Sequence, residues 1–161
     1  MYTSEALLDL ETRAHWTLKR LLEHCAGFAV EDLDRELPGF GYPTVRRQVI
    51  HVLGAQHYWM GVIRGVVDAE DRDDRYPTVP SIEAWRAEVE AAATAYLGSA
   101  STEELNTPRA MTVWGGGQHV LAPARVVVRT LTHIYQHEGQ VAAMCRLLGR
   151  SLPAGLDFPI K

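Results

Sequence analysis

From Pro123 to Gly149 the chain keeps the apolar spacing of an α-helix for roughly seven turns, and this stretch limits the possible folds more than any other. A helix of that length must lay its apolar stripe against other helices or a sheet. Inside it stand His133 and His137, in Thr132-His133-Ile134-Tyr135-Gln136-His137-Glu138-Gly139-Gln140. Residues four apart stack on one helical face, so both imidazoles can reach one point. That is half of a metal site, and it demands a third ligand from another element.

Three more helical runs precede this one. Thr3 or Ser4 can cap the first, whose apolar positions run from Ala6 through Leu10, Ala14, Leu18 and Leu22 to Cys25, with Gly27 as the stop. A turn-rich connector ends in Gly41-Tyr42-Pro43, and Thr44 caps the second helix, expected to reach about Val67. The charged run Asp68 to Arg75 reads as a solvated loop. Pro80-Ser81-Ile82-Glu83 reads as the start of the third helix, with Ser81 as cap and Gly98 as stop, and Ser101 to Leu105 adds one turn. Met111-Thr112-Val113-Trp114 and Gln118-His119-Val120-Leu121 flank three glycines, a short hairpin or ordered loop before the last helix, where Pro123 suits the first turn. The tail from Arg150 is irregular. Four amphipathic helices without a convincing sheet predict an all-α four-helix bundle, one domain over residues 1–161, with the order of its helices open.

Composition narrows the function classes. A formal charge of −4 argues against a nucleic-acid binder that works by phosphate neutralisation, and Arg125, Arg129, Arg146 and Arg150 are spread along a helix rather than clustered. No apolar run reaches membrane-spanning length, and no leader follows Met1. Cys25 and Cys145 form no CxxC unit and read as small buried hydrophobes, so the expectation is a cytoplasmic protein.

The third ligand is read at His51, in mid-helix between Ile50 and Val52, where the chain must pack. His57 is six residues on, rotated by about 120°, and is set aside. His15 and His24 are nine apart on the first helix and so on opposite sides of it. His15 is a candidate to support the site from behind or to face substrate, and His24 suits the helix C-terminus. His119 falls in the hairpin. Ligand imidazoles need an acceptor on the other ring nitrogen. Gln140, three after His137, and Thr130, three before His133, are the candidates.

With these residues in place, the sequence resembles the DinB/YfiT-like four-helix bundles. The likeness lies in Thr44 to Leu53 followed by Tyr58-Trp59, in His133-x-x-x-His137-x-Gly139-Gln140, and in the ending Leu148-Gly149…Pro153…Leu156-Asp157. It implies one divalent metal per chain, zinc or nickel, on His51, His133 and His137, and a homodimer. It also implies, for some relatives, transfer or isomerisation with low-molecular-weight thiols such as bacillithiol or mycothiol. One departure is Glu138, where relatives often carry Arg.

Three histidines leave a metal with its full 2+ charge and an open position, the catalytic rather than the structural pattern. Such an ion lowers the pKa of a thiol or water. The leading expectation is therefore transfer of a small thiol to an electrophile, with a metal-dependent hydrolase or a non-catalytic metal-binding or stress-response protein as alternatives. Trp59 and Trp114 can line a pocket, although core packing is expected of Trp59.

Overall fold

The computed structural model describes residues 1–69 and 74–154. Its long helices are α1 (Ser4–Cys25), α3 (Val45–Arg64), α4 (Val79–Ser99) and α6 (Pro123–Leu147); two short ones, α2 (Val30–Leu33) and α5 (Thr102–Asn106), lie in the connections. The strands β1 (Arg109–Thr112) and β2 (Gln118–Leu121) pair antiparallel with Arg109 opposite Leu121, joined through a 3₁₀ turn at Trp114–Gly116. The expected helical bundle, with a hairpin before its last helix, is the fold. Half of the loop expected from Asp68 to Arg75, at residues 70–73, and the end of the tail, 155–161, lie outside the described residues.

Helix packing settles the order left open by the sequence. α1 packs on α4 and α6, and α3 packs on α6 and α4, so α1 and α3 stand on one diagonal and α4 and α6 on the other. Both diagonals are spanned by the longer connections, one carrying α2, the other α5 and the hairpin. The apolar faces meet in one core, in which Leu7, Leu53, Ala93, Leu97, Ile134 and Met144 have no exposed surface. Cys25 and Cys145, distant in sequence, are free, buried and in contact where α1 and α6 end; the hydrogen bond with the Cys145 thiol, then burial, push the Cys25 thiol up.

Across the α1–α3 diagonal runs a buried polar network. His15 and Glu11, both wholly buried, share it with Gln56 and Arg86. Gln56 Nε2 donates to Glu11 Oε1 at 2.6 Å, and Arg86 Nη1 donates to His15 Nδ1 at 3.2 Å. That leaves His15 Nε2 to donate, to Gln56 Oε1 at 2.8 Å or Glu11 Oε1 at 3.0 Å. Arg86 is held from outside by Glu83 and Glu90.

Helix ends follow local chemistry more closely than apolar period. Thr3 caps α1 and Thr44 caps α3. The cap of α4 is Thr78, not Ser81: Thr78 and Ser81 bond reciprocally, and Pro80 fills a first-turn position that needs no N–H donor. α3 stops at Arg64, short of Val67, because Gly65 turns left-handed (φ 78°), and Val66 N donates to Gly61 O while Gly65 N donates to Val62 O. Gly98 does not end α4, which continues to Ser99.

The closure after α3 fixes the sign of a common substitution. A Cβ on Gly61 would lie 2.3 Å from Val66 O, whereas one on Gly98 meets nothing within 4 Å. Replacing a helical glycine by alanine ordinarily stabilises by up to about 1 kcal/mol. Urea unfolding should show Gly98→Ala at or above wild type and Gly61→Ala below it, by about 2 kcal/mol, since the α3 closure must open.

Candidate metal centre

α3 and α6 are packing partners, and their inward faces bring His51 together with His133 and His137. One nitrogen from each ring lies within 4.8 Å of the others, and among the described residues these form the group of metal-ligating side chains that is so closely gathered. The His133 and His137 Nε2 atoms are 3.0 Å apart, comparable to two imidazoles bound about 2.0–2.1 Å from one ion.

The proton positions follow from one amide. Gln48, wholly buried, donates both Nε2 hydrogens, to Tyr42 O and to Gln140 Oε1, each at 2.9 Å. Its Oε1 must therefore accept, and it accepts from His137 Nδ1 at 2.5 Å. A neutral His137 so held carries its proton on Nδ1 and turns the lone pair of Nε2 toward His133. Two facing lone pairs at that distance repel unless His133 Nε2 carries a proton or a cation stands between them. The donor set thus fits a divalent ion, which His51, His133 and His137 would hold.

The rings are kept neutral by their surroundings. Burial, reinforced by the neighbouring His137, lowers His51 to about 4. Burial, then His137, His51 and Arg129, lowers His133 to about 4, and burial lowers His137. Tyr42 stacks on the His51 ring, centroids 3.8 Å apart and planes 20° from parallel. Lone pairs that remain unprotonated at neutral pH are the condition for binding a metal.

The other expected site residues separate. Gln140 does belong to the centre, one bond further out than expected, since it receives the amide that holds His137. Thr130 is turned away: its hydroxyl donates to Val127 O of its own helix. His15 sits in the Glu11–Gln56–Arg86 network, and its hydrogen bonds do not reach the triad. His57 meets Asp68 at 3.2 Å, and His24 meets Arg150 O at 3.1 Å. The residue that sequence reasoning missed is Gln48. It precedes His51 by three positions in an apolar run, as Gln140 follows His137 by three, and that mirrored spacing was the available signal.

Glu138 faces α1 rather than the centre. Its Oε1 lies 2.9 Å from Thr17 Oγ1, which also lies 2.8 Å from Ala14 O. One hydroxyl proton serves one acceptor, so a protonated Glu138 that donates to Thr17 satisfies both contacts. Desolvation agrees, pushing this carboxyl up to about 8 despite the Thr17 hydroxyl.

The triad opens onto a cavity of about 570 Å³ lined by His51, His133, Arg47, Tyr58, Trp59, Trp85, Trp114 and Arg129 among others. Trp59, expected in the core, is half-buried and forms a wall of it. A second hollow of about 430 Å³ shares Tyr58, Trp59, Trp114 and Arg129 and adds Arg125 and His119. The hairpin roofs both, tied down where Trp114 N donates to Tyr58 Oη at 2.8 Å.

The sequence model of the DinB family matches residues 1–160, and the chain belongs to that family. No curated protein sequence matches it.

Elemental analysis of purified protein should find close to one divalent ion per chain, absent from His137→Ala. Gln48→Leu should weaken the metal by about 10–100-fold, whereas Thr130→Val should leave it in place. Acid acts on the metal-free form with a definite sign. Unfolded imidazoles gain protons below about 6.5, but folded His51 and His133 do so only near 4. Unfolding therefore takes up protons between those values, and the melting temperature of the metal-free protein should fall as pH drops through that window. A midpoint rising there would contradict the neutral triad.

Proposed function

We propose that this member of the DinB family is a metal-dependent transferase that joins a low-molecular-weight thiol to a small electrophile, with zinc or nickel on the three histidines and two chains per assembly. The observation that carries the reading is the position of the triad. Three neutral histidines, not four, are gathered together, and two of them, His51 and His133, line a cavity large enough for a small organic molecule while His137 lies buried behind. A structural ion would be closed off by a fourth protein ligand. A divalent ion held by His51, His133 and His137 supplies a positive charge that favours thiolate over thiol at neutral pH.

The chain's own residues provide the remainder. Gln48 keeps the His137 proton on Nδ1, so this imidazole acts as a ligand and not as a proton source. Arg47 and Arg129 add positive potential around a nucleophilic sulfur. Tyr58, Trp59 and Trp114 present apolar walls that exclude water from it. In the reaction the S–H bond breaks, a bond forms between sulfur and the electrophilic carbon, and a leaving group departs with its electron pair. The thiol proton passes to solvent through the open side of the cavity. The family match and the absence, among the described residues, of a helix long and apolar enough to cross a membrane are consistent with such a role.

Conjugation of a simple thiol to an aryl chloride, followed by absorbance, tests the proposal. Chelation and His133→Ala should each abolish the rate, while circular dichroism stays helical. A chelated protein that unfolds outright would make the ion structural, and a rate indifferent to chelation would end the transferase reading.

A further inference from the structure

The two helices that carry the triad each bring a guanidinium one turn before a ligand. Arg47 precedes His51 by four residues on α3, Arg129 precedes His133 by four on α6, and both line the 570 Å³ cavity. Arg129 is exposed, has its guanidinium carbon over the Trp59 ring at 5.1 Å from the centroid, and has no carboxylate partner among the described residues. It is also the charged group shared by the two hollows, between the histidine wall and Arg125. The acidic group on the cavity wall, Asp68, contacts His57 at 3.2 Å. A chain of net charge −4 therefore presents a basic, aromatic-walled mouth beside its three histidines.

We infer that this cavity takes an organic carboxylate with a flat apolar body, and that Arg129 is the residue that reads the carboxylate. The inference rests on the proposal that the cavity is the substrate site. The chemistry follows from the parts. A guanidinium seated over an indole by a cation–π contact can still direct two parallel N–H bonds to one carboxylate. A single fork matches one such group, and the net negative surface elsewhere directs an anion to this mouth. The indole of Trp114, 77 % exposed on a turn with Gly115 and Gly116 at φ near +77°, lines the same cavity as Trp59 and offers further surface to an apolar body. With its carboxylate at Arg129, one helical turn from His133, such a ligand has its far end toward the histidine wall.

Calorimetric titration with cinnamate and its neutral twin cinnamamide tests this without recourse to activity. Metal-loaded and chelator-treated protein should both bind cinnamate more tightly, by about tenfold or more, as a charge-assisted fork gives. R129Q should erase the preference, R129K should keep part of it, and R146Q, the same charge change near the exposed end of α6, should keep it. Thermal unfolding of each variant reports its fold. Titration with N-acetylcysteine and its methyl ester shows which reactant carries the anion: dependence on Arg129 there assigns it to the thiol, and dependence for cinnamate alone assigns it to the acceptor. Equal affinity for cinnamate and cinnamamide in wild type, or a preference that survives R129Q, overturns the inference. So does a preference that chelation alone removes, because the ion and not Arg129 would then hold the carboxylate. If elemental analysis finds no metal yet the Arg129-dependent preference stands, the metal reading fails and this one holds.

Discussion

The centre depends on a single side-chain amide. Gln48 has three polar positions and uses all three, on the Tyr42 carbonyl of the connector, on Gln140 of α6 and on His137 of α6. A buried amide left with any of these unmade costs about 1–3 kcal/mol, so the three contacts form or fail together. Because they join α3, α6 and the connector before α3, the same bonds that choose the His137 tautomer also hold the ligand-bearing helices in register. Preorganisation of the site and packing of the bundle are thus one constraint.

The bundle and the triad were legible because both rest on helical period. His133 and His137 declare a shared face by spacing alone, and the third histidine that the structure gathers with them, His51, lies on another helix within a run that must pack. What lay beyond that required knowing which helices touch. The partners of Gln48 are 89 and 92 positions away, and no local pattern links them. The Thr130 hydroxyl shows the same limit of local pattern: inside a helix it has its own backbone carbonyl within reach, and Val127 O takes it. The diagonal placement of α1 and α3 depends on connector paths, which spacing does not encode. It also explains His15, whose neighbours are Gln56 and Arg86 from α3 and α4 rather than ligands from α6.

Electrostatics at the centre runs against the chain as a whole. The chain is net acidic, the described cavity wall carries Arg47 and Arg129 against the single carboxylate of Asp68, and the imidazoles are held uncharged by burial. A metal entering this place meets neutral donors without having to displace protons at neutral pH. Glu138, next to His137, spares the centre a carboxylate charge by turning to Thr17, where desolvation favours its protonated form.

The buried network of Glu11, His15, Gln56 and Arg86 has a consequence for how such chains can diverge. It ties α1, α3 and α4 through hydrogen bonds that share no residue with the Gln48 cluster joining α3 to α6. α3 is the common spine, and each cluster fixes a different set of neighbours against it. A descendant could lose His51 or His133 while both clusters kept their helices aligned, but loss of His137 would leave the buried Gln48 oxygen unmet. The reverse path is closed, because stranding a wholly buried carboxylate or guanidinium would undo the scaffold before any new use of the site could be tried. Tolerance in this architecture is uneven: His51 and His133 can change without unmaking a hydrogen bond of either buried amide, whereas Gln48, His137 and the Glu11 network cannot.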